Sequence, residues 1–359
     1  MGSVREKLLN DLLWFLHHPS VTGAEKEICD DLETRLGKKS GWRIERVANN
    51  LVVSREVPDP SREKLVFAGH LDTVPEPDGG IEVRVEGDRA HGRGASDMKA
   101  GDAVMLALIE AFDWSGSWAE PTFVFYEREE GPHAENGLGE VFETFPEVLD
   151  AEAALVLEPT EGALEAGCVG TAQVEIIFRG RAAHAARPWL GENAITKAGK
   201  LLAALHEREP EEVVVEGLPF YEVMTPTMAS GGRATNVVPD SFRINVNHRF
   251  APGRDYEDVR RTFEELLTPF EGAVFEVVDY APSGPVALEN PILKRFLADG
   301  VEVRPKQAWT DVARFAEHGV AAANFGPGTP AQAHQTDEWA SLPLLEACYS
   351  RLESFLRHK

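Results

Sequence analysis

Apolar residues in this chain recur with two periods. Over residues 4–18, Leu8, Leu9, Leu12, Leu13 and Leu16 fall three and four apart, the spacing of one helix face, and Pro19 stops the run. Residues 23–36 read as a second amphipathic helix, and residues 42–54 as strand sequence with a turn at Asn49-Asn50. Leu65, Val66 and Phe67 form an unbroken apolar run, the pattern of a buried strand, closed off by Pro75. Residues 81–85 and 89–92 read as a hairpin about Gly87-Asp88. A helix is expected to open from the segment 92–101 and to run to Phe112, with Asp97 at or near its N-cap.

Three more apolar strands are expected at residues 121–126, 153–157 and 322–325. Between them the texture changes. Residues 171–180 alternate as a strand, 193–208 carry a helical stripe, 225–230 and 241–250 are strand-like, 255–267 helical and 273–280 strand-like. That β-α-β-β-α-β order is the pattern of a ferredoxin-like unit inserted into an α/β chain. The expected division is therefore one α/β domain from residues 1–170 and 284–359, and an inserted α+β domain from 171–283.

The polar residues that matter sit where the apolar strands end. His70 and Asp72, two apart on an extended backbone, send their side chains to one face. An imidazole beside a carboxylate suits a metal ligand held by an acid. It equally suits a satisfied histidine and a turn aspartate, and this segment alone does not choose. Glu127-Arg-Glu-Glu-Gly131 follows the strand at 121–126, and adjacent carboxylates at a strand tip are costly unless a cation shares them. Glu158 ends the strand at 153–157, and the loop after 322–325 supplies His334. In open α/β sheets ligands bind beyond the carboxyl ends of the strands, so these residues have a reason to converge. His70, Asp97, Glu130, Glu158 and His334 form an oxygen and nitrogen donor set without sulfur, suited to zinc or a related divalent ion. Five donors exceed one tetrahedral site and fit two ions sharing a carboxylate, which leaves Glu129 free as a base.

Composition removes other classes. The chain of 359 residues has 43% hydrophobic residues and mean hydropathy of -0.25, values of an ordinary globular protein. Lys plus Arg number 36 against 60 for Asp plus Glu, a formal charge of -24 that repels nucleic-acid backbones. No apolar run approaches the roughly 18 residues of a membrane span, and residues 1–13 lack the apolar core of a leader, so no membrane role is expected. Cys29, Cys168 and Cys348, odd in number and far apart, suit a reducing cytoplasm rather than a disulfide framework. No Gly-x-Gly-x-x-Gly joins a strand to a helix, which excludes a dinucleotide-binding oxidoreductase. A metal-binding scaffold without catalysis has no use for Glu129 beside a full donor set.

The ordered motifs His70-Leu-Asp72, Ala95-Ser-Asp97-Met-Lys, Glu129-Glu130-Gly131, Leu157-Glu158-Pro159 and Ala333-His334 resemble those of the di-zinc aminoacylase, carboxypeptidase and desuccinylase family over nearly the whole chain. The segments Glu165-Ala-Gly-Cys-Val-Gly170, 181–193, 309–315 and Asn324-Phe-Gly-Pro-Gly328 are most similar to its desuccinylase branch of the actinobacterial type. The resemblance implies an α/β zinc-peptidase-like catalytic domain with a mixed central sheet and an α+β ferredoxin-like lid. It implies two zinc ions per subunit, with cobalt as a possible substitute: one bound by His70 and Glu158, the other by Glu130 and His334, and Asp97 bridging. Asp72 would orient the histidine ligand, Glu129 would act as general base, and His184 would stabilise the oxyanion in a neighbouring subunit's site. Arg249, Asn236, Thr310 and Gly326 resemble substrate-holding positions. The implied reaction is removal of succinate from N-succinyl-LL-2,6-diaminopimelate, a small anionic N-acyl amino acid, by a cytoplasmic homodimer joined through the lid. An acetylornithine-type deacylase or a zinc carboxypeptidase of the same family is the alternative. Two departures bear on the substrate: Cys168-Val169 stand where other desuccinylases carry an arginine, and residues 131–135 are peculiar to this chain.

Overall fold

The computed structural model describes residues 4–78, 80–298 and 300–357; the first three residues of the stretch read as lacking a leader lie outside these. Strands β1 (Trp42–Val47), β2 (Asn50–Arg55), β3 (Glu63–His70), β4 (Arg84–Glu86), β5 (Arg89–His91), β6 (Ala119–Tyr126), β7 (Ala153–Val156) and β8 (Leu164–Ala166) come first. They are followed by β9 (Gly170–Arg179), β10 (Glu211–Val215), β11 (Leu218–Gly231), β12 (Ser241–Phe250) and β13 (Ala273–Ala281), then by β14 (Val303–Pro305), β15 (Ala322–Asn324) and β16 (Trp339–Ser341). The chain divides into two compact units. The first takes the residues up to Ala166, Ala287–Arg304 and the chain from Arg314 on; the second takes Gly167–Val286 and Pro305–Ala313.

In the first unit an eight-stranded sheet has the order β1-β2-β6-β3-β7-β15-β8-β14. Its centre is parallel: β3 pairs with β6 and β7, and β7 with β15, all in one direction. Buried on both faces, these strands have no polar side to show, which is why Leu65 to Phe67 and Ala153 to Val156 are continuous apolar runs. The consequence for function is directional. His70 and Asp72, the Glu127 turn, Glu158 and the segment after Asn324 all leave the sheet at the same edge. Helix Ala100–Ala111 is almost wholly buried, and helices Val4–Leu16 and Leu342–Arg357 bring Leu12, Phe15, Leu352 and Phe355 into the same core.

The second unit is one antiparallel sheet, β10-β11-β12-β9-β13, with a core from helices Ala194–His206 and Tyr256–Leu267. Its four longer strands run in the order β11-β12-β9-β13, a ferredoxin-like arrangement, and the two central ones, β12 and β9, alternate buried and less buried positions.

The structure corrects the sequence-based expectation at four places. Register pairs Val47 with Asn50, so the β1–β2 turn is Ala48-Asn49, with Ala48 at φ 49°. Asn50 is instead buried in β2, where its amide donates to the Val47 carbonyl and accepts from the Glu127 backbone N–H. Strand β10 was not expected, because its sequence Glu-Glu-Val-Val-Val shows no alternation of polar and apolar residues; it pairs with β11 through a tight turn at Glu216-Gly217, both at positive φ. Residues 305–313 leave the first unit for the second, held there by Val169 N–H donating to the Lys306 carbonyl and the Trp309 indole donating to the Pro282 carbonyl. Finally, Asp97 caps no helix. It has extended dihedrals (φ -124°, ψ 97°), and helix Ala100–Ala111 begins beyond it with Lys99 in the cap position.

Candidate active site

Each chemical residue of the first unit stands on a strand end or on a loop pinned to one. His70 is the last residue of β3 and is wholly buried. Its Nδ1 faces the Asp72 backbone carbonyl at 2.9 Å and the Asp72 carboxylate at 3.5 Å, which turns Nε2 toward Asp97 Oδ1 at 3.2 Å. Asp72, also buried, accepts the backbone N–H of Glu129 at 2.9 Å and of Glu130 at 3.1 Å, and the Thr22 hydroxyl at 2.9 Å. One carboxylate therefore ties the exit of β3 to the exit of β6. His334 lies beyond β15 at φ 64°, with Nε2 3.0 Å from Glu130 Oε1 and 3.6 Å from Asp97 Oδ2. Three sets have donor atoms within 4.8 Å of one another: His70, Asp97 and Glu158; Asp97, Glu130 and His334; and His70, Glu129 and Glu130.

Asp97 belongs to two of those sets, which places it between two candidate cation positions. The donor set of imidazole nitrogens and carboxylate oxygens fits divalent ions such as zinc. The electrostatics agree. Burial works against a charge on His70, yet its bonds to Asp72 and Asp97 outweigh it and hold the pKa well above the usual histidine value. Glu130, hydrogen-bonded to His334, raises that histidine too, against partial burial. Burial would raise Asp72, but the His70 ring and the N–H bonds win and its pKa falls below the ordinary value. The pocket thus pulls positive charge onto both imidazoles, a demand that bound cations satisfy.

Gly326 is shaped by the same crowding. A Cβ there would lie 2.4 Å from the carbonyl oxygens of both Leu157 and Glu158, and its N–H donates to the Thr160 hydroxyl at 3.0 Å. The glycine lets the chain after β15 pass against the backbone that carries Glu158.

The remaining expected residues belong to the second unit. His184 is exposed, its Nδ1 accepting from Ala186 N–H at 3.0 Å, and Ala185 N–H donates to the Asn236 carbonyl at 2.9 Å, so His184 and Asn236 stand on adjoining segments. Arg249 pairs across the sheet with Thr171, and its Nε donates to the Asn247 side chain at 3.0 Å. Burial lowers its pKa, countered by Cys168. Thr310 is buried, and its carbonyl lies 3.6 Å from Cys168 Sγ. The Cys168 thiol, raised by burial, fills space rather than offering charge.

Several residues near the site carried no signal of their own in the sequence. Thr22, Arg93, Asp102 and Glu338 lie in stretches whose local pattern is ordinary, and only tertiary contact gives them meaning; Lys99 closes the motif of Asp97, but nothing there shows that it is buried. Lys99 is fully buried, its ammonium pushed down to about 8 by burial although Asp102 and Glu338 oppose that, and it donates to the His18 carbonyl at 2.8 Å. Burial raises the Asp102 carboxyl well above its ordinary value.

Comparison with known proteins agrees with this geometry. The chain is 39% identical over 346 residues to a putative succinyl-diaminopimelate desuccinylase of Mycobacterium tuberculosis, covering 94% of each chain. It is 36% identical over 346 residues to the succinyl-diaminopimelate desuccinylase of Corynebacterium glutamicum, covering 94% of this chain and 93% of the other. Among solved structures, a tripeptidase from Staphylococcus aureus superposes with a TM-score of 0.80 at 21% identity, covering 98% of both chains, a likeness of fold. The model of peptidase family M20/M25/M40 matches residues 66–358, from β3 to the end of the last helix. The chain belongs to peptidase family M20/M25/M40.

Proposed function

We propose that this protein hydrolyses N-succinyl-LL-2,6-diaminopimelate to succinate and LL-diaminopimelate, a step toward lysine and peptidoglycan precursors. The observation that carries the reading is the pair of donor sets sharing Asp97, with Glu129 within reach of His70 and Glu130. The identity to two desuccinylases over nearly the full chain supports the choice of substrate.

His70 and Glu158 would hold one zinc ion, Glu130 and His334 the other, and Asp97 both, with cobalt as a possible substitute. When bound, the pair lowers the pKa of water and polarises the scissile carbonyl. The chain's own residues do the rest. Asp72 would accept the hydrogen bond of His70 Nδ1–H and so leave Nε2 for the ion. Glu129 takes a proton from the attacking water and returns it to the leaving amine. His184, contributed by the partner subunit of a homodimer joined through the lid, donates to the developing oxyanion. Arg249, Asn236, Thr310 and Gly326 hold the substrate's carboxylates and amide. The protein works in the cytoplasm.

The substitution of Cys168-Val169 for an arginine favours one second reading, a related deacylase acting on a different acyl group. A panel of N-succinyl, N-acetyl and dipeptide substrates, run on zinc-loaded protein with metal counted in the same sample, separates the two. The proposal fails if the acetyl or dipeptide substrates turn over faster than succinyl-diaminopimelate.

A further inference from the structure

Glu338 has no part in the mechanism just described, yet it is among the most heavily hydrogen-bonded carboxylates of the first unit. It is 1% exposed. Oε1 accepts the backbone N–H of Ser96 at 2.9 Å and of Asp97 at 3.1 Å. Oε2 accepts the backbone N–H of Gly94 at 3.0 Å and Arg93 Nη1 at 2.8 Å. The Glu338 carbonyl accepts Gly92 N–H at 3.1 Å. Arg93 Nη1 also donates to the Gln335 carbonyl at 3.2 Å, one residue beyond His334. A charge this deep is costly unless its lone pairs are used, and here the bonds gather Arg93, Gly94, Ser96 and Asp97 onto one side chain.

That segment ends in Asp97, whose dihedrals are not helical and whose position no helix therefore fixes. We infer that Glu338 is the positioning residue of the shared carboxylate: it holds the Asp97 backbone and, through Arg93 and Gln335, the loop of His334. The inference rests on the dinuclear reading above. It makes a selective claim. The ion held by Asp97, Glu130 and His334 has two of its donors on loops fastened at Glu338. The ion held by His70 and Glu158 shares Asp97 with its neighbour, but its other two donors stand at the end of β3 and just beyond β7. Loss of Glu338 should loosen the former, with two donors affected, more than the latter, with one.

The test is zinc titration of the metal-free parent and of Glu338→Gln, by calorimetry with a competing chelator. Glutamine keeps the size but loses the charge and one acceptor. The expected result is a second zinc weakened roughly 10–100-fold, the loss typical when a ligand's supporting partner is removed. The first should weaken by a smaller factor, because only one of its three donors, Asp97, is fastened at Glu338. Arg93→Lys, which keeps the buried charge but not the planar fork, should shift the second step the same way and carries the test if Glu338→Gln does not fold. Thermal unfolding of the metal-free proteins reads any general loss of stability separately. A folded variant that weakens both steps equally, or neither, overturns the inference while leaving the dinuclear reading intact. A parent protein that binds a single zinc overturns both.

Discussion

Asp72 Oδ1 lies 2.9 Å from the backbone nitrogen of Glu129, while the same carboxylate faces the ring of His70. The residue that orients one donor therefore also sets the backbone from which the proposed base projects. Asp72→Asn keeps the volume and one acceptor but gives up the charge that raises His70. The expected outcome is a loss of roughly 10–100-fold in zinc affinity, with kcat falling in step. Equilibrium dialysis alongside steady-state kinetics measures both. Unchanged affinity would remove Asp72 from the orienting role.

Glu129 shares a donor set with His70 and Glu130 but not with Asp97, so its loss should spare the metals. Glu129→Ala is expected to retain two zinc ions and to lose about 10²–10⁴ in kcat, the usual contribution of a positioned general base. Activity within about tenfold of the parent, with full metal content, would count decisively against the proposed proton transfer.

His184 lies in the second unit, exposed, with Nδ1 occupied by the Ala186 N–H, which leaves Nε2 to donate. His184→Ala should lower kcat by about 10²–10³, the cost of removing one oxyanion donor, without loss of zinc. An unaltered kcat refutes the assignment.

The raised pKa of His334 gives a sign for pH dependence in the metal-free protein. A histidine whose folded pKa exceeds its unfolded value of about 6.5 stabilises fully below that value, and the benefit disappears as pH rises through the folded pKa. His334→Gln should therefore lower the Tm of the metal-free protein at pH 6, and the gap from the parent should close as pH rises toward alkaline values. Thermal unfolding of both proteins across that range is the measurement. A gap that widens with pH would reverse the sign and with it the account of His334 as a base held by Glu130. In zinc-loaded protein the dependence should vanish, because the ion takes the proton's place.

The buried parallel strands declared themselves in the sequence, because a strand covered on both faces must be apolar throughout, and the polar residues that close such runs are therefore conspicuous. His70 and Glu158 were legible for that reason, Glu130 through the adjacent carboxylates past β6 and His334 only together with them; the β-α-β-β-α-β order of the second unit was legible from its alternating strands and helical stripes. Asp97 was legible as a residue of interest but not as a shape: its local pattern suits a helix cap, and only the fold gives it an extended backbone fastened from the far end of the chain. Strand β10 left no trace because none of its side chains is buried, so its half-covered face did not need to alternate with a polar one. Glu338 left none because a buried carboxylate looks like any surface one until the N–H groups of Gly94, Ser96 and Asp97 are brought to it. Periodicity reports what a residue's neighbours in sequence require of it. Bonds between residues some 240 positions apart report to nothing local, and those are what the tertiary structure alone decided.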